Sequence, residues 1–365
     1  MQKLLITLFI VGLSSSLAWG QAFKPRFQQR ESSPKIGSKT ATQRRSLELR
    51  VLLDGQGGLG AGHDWMQALA EVGADRVVAE NSRVTRPSFK EYDSGSTKLL
   101  AVVGIVKKGK LHLPGGKFTI QQTDAIRNHL QKLRDDGAEV TIAEKVAFGL
   151  TANQLVSVHD QLGSPVESPT TGQNAGTLAN NLLQKSGYPI SIDRETKLVL
   201  SNATTKMDVE LEGYSTGTAL AFTLRQMGVV FEPVRPQGQQ IQLLVRPVNE
   251  KAKNWPVGWP VSESPKKLAP KLYVKVNVQA QDASIVALLD SIEGRISLPF
   301  FYDRAKFSDR GVDLASTKVT YSRPGKKSSY DMVIDKVLNQ CKPKLKSELK
   351  IDEVGKRFLW ITTRN

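Results

Sequence analysis

The spacing of hydrophobic residues along the chain predicts a series of short helices and strands after residue 46. In the first part, residues 47–163, the segment 47–53 has charged side chains between apolar ones and predicts a strand. Apolar residues at helical spacing from Trp65 predict a helix that ends at Gly73. The remaining predicted elements are strands at 76–80, 98–106 and 110–113 and helices at 123–137 and 151–162. This order, β-α-β-β-β-α-α, predicts an α+β domain with a mainly antiparallel sheet.

The second half of the chain repeats one order of elements, first in residues 174–248 and again in residues 271–365. The first copy predicts a helix that ends at Gly187, strands at 188–193 and 207–211, a helix at 215–228 and a hairpin at 229–245. The second copy predicts a strand at 272–278, a helix from Ile285, strands at 296–302 and 318–321, a helix at 329–341 and strands at 344–351 and 357–362. Together with residues 47–163, the copies predict an α+β fold of three small α/β sandwich domains.

Two stretches in these copies resemble a known protein family. They are residues 209–228, VELEGYSTGTALAFTLRQMG, and residues 276–290, VNVQAQDASIVALLD. In each, a strand ends in a polar turn and leads into a capped helix with an Ala-Leu or Leu-Leu pair, a pattern that resembles the secretin and TonB short N-terminal domain. The resemblance covers residues 174–248 and 271–363. It implies two βαβ-type modules that serve protein–protein interaction in the periplasm.

The segment between the copies, residues 249–270, contains four prolines and predicts an extended linker. Trp255 and Trp259 lie in it. Two interpretations of these tryptophans stay open. They form a stacking surface for sugars or for an apolar groove of a partner, or both rings fold back onto a domain.

The first residues of the chain have the pattern of an export signal. Lys3 precedes the apolar run 4–13, and the small residues Ala18 and Gly20 predict cleavage before Gln21. The alternative is a membrane anchor, but an apolar run of about ten residues is short of the ~20 that span a bilayer. We therefore predict a signal peptide at 1–20 and a mature protein that is soluble, periplasmic or secreted, and without a transmembrane segment.

A basic leader, residues 21–46, follows the predicted signal peptide. It has seven basic residues, one acid, Glu31, and few large apolar groups, which predicts disorder. It is interpreted either as a solvated spacer or as an electrostatic tether to an anionic surface.

The whole chain of 365 residues is strongly basic, with 51 Lys and Arg against 35 Asp and Glu and a net charge of +16. Such a charge attracts polyanions, whether nucleic acid, an anionic membrane or acidic envelope polymers. The basic residues are scattered and lack the aromatic strand pattern of RNA-binding sheets, which favours weak, diffuse attraction. The densest patches in the predicted domains are Lys326 with Lys327 and residues 342–350, interpreted as binding patches or as solvated faces.

One glycine-rich turn has the spacing of a dinucleotide-binding motif. Residues 55–60 follow the pattern G-x-G-x-x-G, and Glu80 ends the next predicted strand. The preceding strand carries Glu48 and Arg50, whereas a central parallel strand is expected to be apolar. We therefore predict a flexible turn and no bound cofactor.

Patterns typical of metal binding and catalysis are missing from the sequence. The four histidines, His63, His112, His129 and His159, have no zinc-binding spacing, and no nucleophile-elbow motif occurs. The single cysteine, Cys341, lies on the apolar face of a predicted helix, which favours a packing role. We predict no metal, no cofactor and no catalytic residue.

These patterns predict an exported, non-enzymatic envelope protein that binds an envelope protein or a second copy of itself. The candidate partner contacts are Trp255, Trp259, Lys326 and Lys327. The alternative from another class is a binder of envelope polymer or nucleic acid that uses the basic surface. A third is a hydrolase whose site is assembled from distant residues.

Overall fold

The structure, a computed structural model, describes residues 45–53, 59–80, 86–94, 97–249 and 252–364. The predicted signal peptide at 1–20, residues 21–44 of the leader and residues 55–58 of the glycine-rich turn lie outside these ranges. Within them, helices combine with several small, mostly antiparallel sheets, which confirms the predicted α+β class. No helix in the described part of the chain is long and apolar enough to cross a membrane.

The N-terminal domain, residues 45–142, packs helices against one sheet. Its core joins Leu47, Leu49 and Val51 of the first strand to Trp65 and Leu69 of the first helix. The strands follow the order β2-β1-β4-β5-β6, with β3 also paired to β4. The elements are β1 (Arg45–Leu53), α1 (Leu59–Leu69), β2 (Arg76–Glu80), β3 (Ser88–Ser94), β4 (Thr97–Lys107), β5 (Lys110–Leu113), β6 (Gly116–Thr119), α2 (Thr123–Asp136) and α3 (Ala138–Ile142).

This sheet is more parallel than the sequence predicts. Strand β1 runs parallel to both β2 and β4. Its charged side chains do not prevent this, because Glu48 accepts a hydrogen bond of 2.6 Å from Arg50 and lies 3.8 Å from Arg76. The argument from Glu48 and Arg50 against a parallel strand was therefore wrong, since a parallel strand needs two apolar faces only where both faces are covered.

The predicted hairpin between β4 and β5 is present, with positive φ at Lys108 and Gly109. Two positive φ values in a two-residue turn match the twist of the paired strands. The sequence prediction omitted β3, whose described side chains are mostly polar and exposed, and β6, whose side chains are mostly half-exposed. It also began β1 at residue 47, whereas the strand starts at Arg45 and so includes the last two residues assigned to the leader.

The middle module, residues 147–249, begins at a short 3-10 turn (Ala147–Gly149). Its three-stranded sheet has the order β7-β9-β8, with β7 parallel and β8 antiparallel to β9. The elements are α4 (Ala152–Leu162), α5 (Ala175–Lys185), β7 (Ile190–Ile192), α6 (Arg194–Ser201), α7 (Thr216–Arg225), β8 (Val229–Val234) and β9 (Gln242–Pro247).

The boundary predicted at residue 163 is corrected by helix α4. Val158 and Leu162 of this helix are fully buried in the core of the middle module, together with Leu150. A capping box between Thr151 and Gln154 starts the helix. Helix α4 therefore belongs to the middle module, and the N-terminal domain ends near residue 142.

The C-terminal module, residues 265–364, has a four-stranded sheet in the order β10-β16-β17-β13. Its first strand comes from the connecting segment, residues 252–264. Ala269 is already part of the C-terminal core, so the module begins before the predicted residue 271. The elements are β10 (Trp259–Pro260), α8 (Pro265–Leu268), a 3-10 turn (Pro270–Tyr273), β11 (Lys275–Val276), β12 (Ala280–Ser284), α9 (Ile285–Ile296), β13 (Phe300–Tyr302), α10 (Arg304–Asp309), β14 (Lys318–Tyr321), β15 (Ser328–Ser329), α11 (Tyr330–Leu338), β16 (Leu345–Ile351) and β17 (Arg357–Thr363).

The middle and C-terminal modules have the same topology. In each, a short strand lies parallel to the last strand of a hairpin, β7 with β9 and β13 with β17. Isolated pairs in the middle module correspond to short ladders in the C-terminal one: Asn174 with Lys206 corresponds to Ser284 with Lys318. The main helices start at equivalent caps, Asn174 and Ser215 in one module and Ser284 and Ser329 in the other.

The strand predicted at 207–211 is absent. Met207 and Leu211 are buried, but their amides bond to Gln173 O and Thr170 Oγ1 and not to a neighbouring strand. The sequence prediction also missed the short helices α6 and α10. Each follows a strand and starts at an aspartate cap, Asp193 or Asp303.

Candidate partner-binding cleft between the modules

Helix α7 of the middle module is buried along its length and forms the junction with the C-terminal module. Every residue from Thr216 to Leu224 is buried. The ring of Phe222 lies 4.9 Å from that of Phe301 on β13, and Phe301 stacks 4.5 Å from Phe358 on β17. Phe301, Phe358 and Trp360, all from the C-terminal module, belong to the core of the middle module. One face of the C-terminal sheet therefore completes the core of its neighbour.

An ion pair between the half-buried Arg225 and the buried Asp303 crosses the same junction. Arg225, at the end of α7, donates from Nε to Asp303 Oδ1 at 2.8 Å and from Nη2 to Asp303 Oδ2 at 2.9 Å. Asp303 is 1% exposed and also accepts the Thr362 hydroxyl at 2.8 Å. Two parallel N–H···O bonds fix the orientation as well as the distance of the two groups. The aspartate that caps α10 thus also holds the middle module in place.

The turn between β16 and β17 docks onto the start of α7. Glu353 accepts hydrogen bonds from Thr218 N at 3.2 Å, from Thr218 Oγ1 at 2.7 Å and from the Ser215 hydroxyl. Asp352 accepts Ser215 N at 2.9 Å. A carboxylate is stabilised at a helix N-terminus by the free amides and the helix dipole. Gly217 permits this approach, since a Cβ there would lie 2.6 Å from Glu353 Oε1.

A cleft of about 570 Å³ lies beside this turn, lined by both modules. Its walls come from Tyr214 in the middle module and from segments 268–272, 296–299 and 355–357 in the C-terminal part. The side chains of Leu272, Ile296 and Leu298 that line it are apolar and buried in the C-terminal core. The volume lies within the ~300–1,000 Å³ of typical ligand sites.

The rim of this cleft is positive. Lys271, Lys356 and Arg357 line it, and no carboxylate does. Each cation bonds to a neutral group: Lys271 Nζ to Ser297 Oγ at 3.2 Å, Lys356 Nζ to Glu212 O at 2.8 Å, and Arg357 to Leu268 O. The ion pairs among the described residues include none of the three. The rim therefore carries three positive charges with no acid beside them in the cleft.

Tyr214 anchors the rim to the middle module. Its hydroxyl donates to Arg357 O at 3.2 Å, and Lys356 Nζ lies 4.1 Å from its ring centre. Burial raises the pKa of Tyr214 above its usual value, with the charge of Asp352 as a further cause, so the phenol stays neutral and remains a donor. The ammonium group of Lys356 makes a cation–π interaction with the Tyr214 ring, and this interaction positions Lys356 at the rim.

The structure places the Trp255 ring in the core of the middle module. It is 3% exposed, stacks between Phe148 and Phe231, and donates from Nε1 to Glu353 Oε1 at 2.6 Å. Trp259 is half-buried, starts β10 and lies 5.1 Å from Trp255 ring to ring. The predicted extended linker is therefore folded in this part. Trp255 agrees with the second sequence interpretation, in which the ring folds back onto a domain, and its assignment as a candidate partner contact is corrected to a core residue.

Lys326 and Lys327 are exposed, as a partner contact requires, in the turn between β14 and β15. They do not line the cleft. Sequence reasoning missed the cleft residues because they come from distant segments. One local pattern pointed to the cleft: Gly355 predicts a turn, and two cations, Lys356 and Arg357, follow it directly. Neither the repeat nor the basic patches drew attention to this turn.

The histidines take structural positions or stay at the surface. His129 Nε2 lies 2.8 Å from Pro114 O, and the ring of His159 lies 5.8 Å from Trp259. His63 is exposed. In the described ranges, no three His, Cys, Asp or Glu side chains are grouped to hold a metal ion.

Cys341 is expected to resist thiol reagents in the folded protein. The residue is 2% exposed, and burial raises the pKa of its thiol to about 11. At pH 8 this leaves about a hundredfold less thiolate than an ordinary cysteine has, and the thiolate is the reactive form. Labelling with Ellman's reagent, followed with and without denaturant, measures it. Rapid labelling of the native protein would contradict the burial and revive a nucleophilic role.

Comparisons of the chain with models of known families, with curated proteins and with solved structures gave no match. The function must therefore be argued from the residues described above.

Proposed function

We propose that the protein is an exported, non-enzymatic envelope protein that binds a protein partner through the cleft between its two C-terminal modules. The observation that carries this proposal is the composition of the cleft: an apolar interior, three rim cations and no lining carboxylate. Such a site favours a segment with an apolar side chain and an acidic group. It contains no cluster of nucleophile, base and oxyanion donor of the kind that catalysis requires.

Two further observations support a binding role for the paired modules. Their common topology and matching helix caps favour an origin as two copies of one module, like the secretin and TonB short domains that their sequences resemble. The buried contacts of Arg225 and Glu353 hold the modules in one orientation. A preorganised site loses less conformational entropy when it binds.

Charge reversal at the rim is expected to weaken binding. We choose Lys271→Glu with Lys356→Glu, and we expect an affinity loss of about tenfold or more for acidic peptides, because two attractions become repulsions. The measurement is selection of peptides from a random display library on the purified protein, followed by titration of the enriched peptides. Acidic sequences with apolar residues are expected to be enriched.

The matched control is Lys326→Glu with Lys327→Glu, which makes the same change of charge at exposed positions outside the cleft. This variant is expected to bind the selected peptides like the unmodified protein. A library that yields no enrichment, or two variants that lose affinity equally, contradicts the proposed site.

The alternative function is weak binding of a polyanion by the whole basic surface, favoured by the net charge of +16. It predicts a different result for the same variants. Affinity for DNA or an acidic polymer would fall by orders of magnitude between about 50 and 200 mM salt, and both double variants would weaken it. Peptide binding at one cleft is expected to depend less steeply on salt.

A further inference from the structure

A second, smaller cavity lies at the junction, at the other end of helix α7. It has a volume of about 240 Å³ and shares no lining residue with the cleft described above. The end of α7, the start of β8, the connecting segment and the sheet strands β16 and β17 all contribute to it. Two cations, Arg225 and Lys350, line it, and no carboxylate does.

The polar groups left in this cavity are donors. Arg225 uses Nε and Nη2 on Asp303, which leaves the hydrogens of Nη1. Asn254 accepts Arg246 Nη2 on Oδ1 at 3.3 Å, which leaves its NH₂ group. Lys350 adds the three hydrogens of an ammonium group. A guest that accepts several hydrogen bonds and carries negative charge matches these groups.

Of these groups, Lys350 has the positive charge that is least neutralised by a neighbouring carboxylate. Its side chain is only 15% exposed, and its amine lies 3.5 Å from Glu348 Oε2. The other oxygen of Glu348 lies 2.7 Å from Lys346, so one carboxylate serves two lysines. Burial lowers the pKa of Lys350, Glu348 opposes this, and the nearby positive charge of Arg225 adds to the lowering. The lowered pKa reflects the free-energy cost of burying the charged amine, and a second negative group near Lys350 would reduce that cost.

The remaining walls are apolar and aromatic. Phe231, Trp255 and Trp360 line the cavity and are buried. Each ring is at most 5% exposed, so the rings offer a guest a small apolar surface beside the polar groups. The cavity is smaller than the ~300–1,000 Å³ of typical ligand sites. The volume admits a small molecule and excludes a folded chain segment with several side chains.

We infer that this cavity is a binding site for a small organic carboxylate. Its carboxylate contacts Arg225 and Lys350, and its apolar body lies against Trp360 and Phe231. The site is separate from the proposed partner-binding cleft and does not depend on it.

The test is titration of the full chain with sodium benzoate, by calorimetry and by the shift of the thermal midpoint. Saturable binding is expected, with weaker binding of acetate because it lacks the ring. The variant Lys350→Met keeps the length of the side chain and removes the charge, and we expect it to weaken benzoate binding at least tenfold. The control Lys346→Met, on the same strand and the same carboxylate, is expected to bind benzoate like the unmodified protein.

A second variant guards against a folding defect in Lys350→Met. Asn254→Asp keeps the acceptor for Arg246 and places a negative charge in the cavity, so it is expected to abolish benzoate binding. The absence of saturable binding by the unmodified protein, or equal binding by all these proteins, overturns the inference. Lys271→Glu with Lys356→Glu is expected to leave benzoate binding unchanged, which separates this test from that of the cleft.

Discussion

Replacing Arg225 with methionine is expected to lower the free energy of unfolding by about 3–5 kcal/mol, the usual cost of removing one partner from a buried ion pair. Methionine keeps most of the apolar stem, so the change removes mainly the charge and its two bonds to Asp303. Asp303 would remain buried, with hydrogen bonds from the Thr362 hydroxyl and the Lys306 amide but without a positive charge beside it. Denaturant unfolding measures the change, with the slope checked for two-state behaviour.

The matched control is the neighbouring pair Arg304 and Asp208, which also joins the two modules. Its side chains are 57% and 45% exposed. Because exposed pairs contribute about 0–1 kcal/mol, Arg304→Met is expected to change stability little. Equal losses in the two variants, or no loss in Arg225→Met, would show that the Arg225 contact does not hold the modules together.

The C-terminal module is expected not to fold when it is separated from the middle module. A fragment of residues 265–364 would expose Phe301, Phe358 and Trp360, which are 0%, 0% and 5% exposed in the whole chain. It would also leave Asp303 without Arg225. We therefore expect no cooperative thermal transition and no near-ultraviolet circular dichroism signal from the fragment.

The comparison is a fragment of residues 143–364, which keeps both modules and the connecting segment. It is expected to unfold in a single cooperative transition. Its contacts with the N-terminal domain are polar, such as the 3.4 Å pair of Arg235 and Asp136 and the hydrogen bond from Gln237 to Asp135, and they include no residue of the shared core of the two modules. A cooperative transition in the shorter fragment would contradict this expectation and would show that the C-terminal module is an independent domain, as the repeat in the sequence predicts.

The sequence predicted best those elements whose structure depends on neighbouring residues in the chain. The alternation at 47–53 and the two-residue turn at Lys108 are local signals, and both elements were predicted correctly. Helix α7 was predicted close to its bounds, but its residues are small or apolar on every side. Such a pattern is typical of a helix buried all round, and it contained a signal for the junction that the prediction of separate domains did not use.

The contacts between distant segments could not be predicted. Asp303 and Arg225 are 78 residues apart in the chain, and nothing in the sequence around either residue indicates that they pair. Trp255 was assigned to a linker because four prolines follow it in residues 249–270, and the sequence left open whether its ring folds back onto a domain; it does not indicate Glu353 as the partner of that ring. The sequence showed the net charge and the local basic runs, but not which cations from distant segments come together. That Lys271 and Lys356 meet at one cleft depends on how distant segments of the C-terminal module come together, which hydrophobic spacing does not encode.

The most direct measurement of the proposed function is site-specific crosslinking in the producing cell. A photoreactive amino acid replaces Ser297, which is exposed on the rim of the cleft, and in a parallel protein it replaces Lys326 outside it. We predict a discrete crosslink from position 297 to an acidic, apolar protein segment, identified by mass spectrometry, and its loss with Lys271→Glu and Lys356→Glu. The absence of a protein crosslink at 297, or the same products from both positions, would contradict the partner-binding cleft.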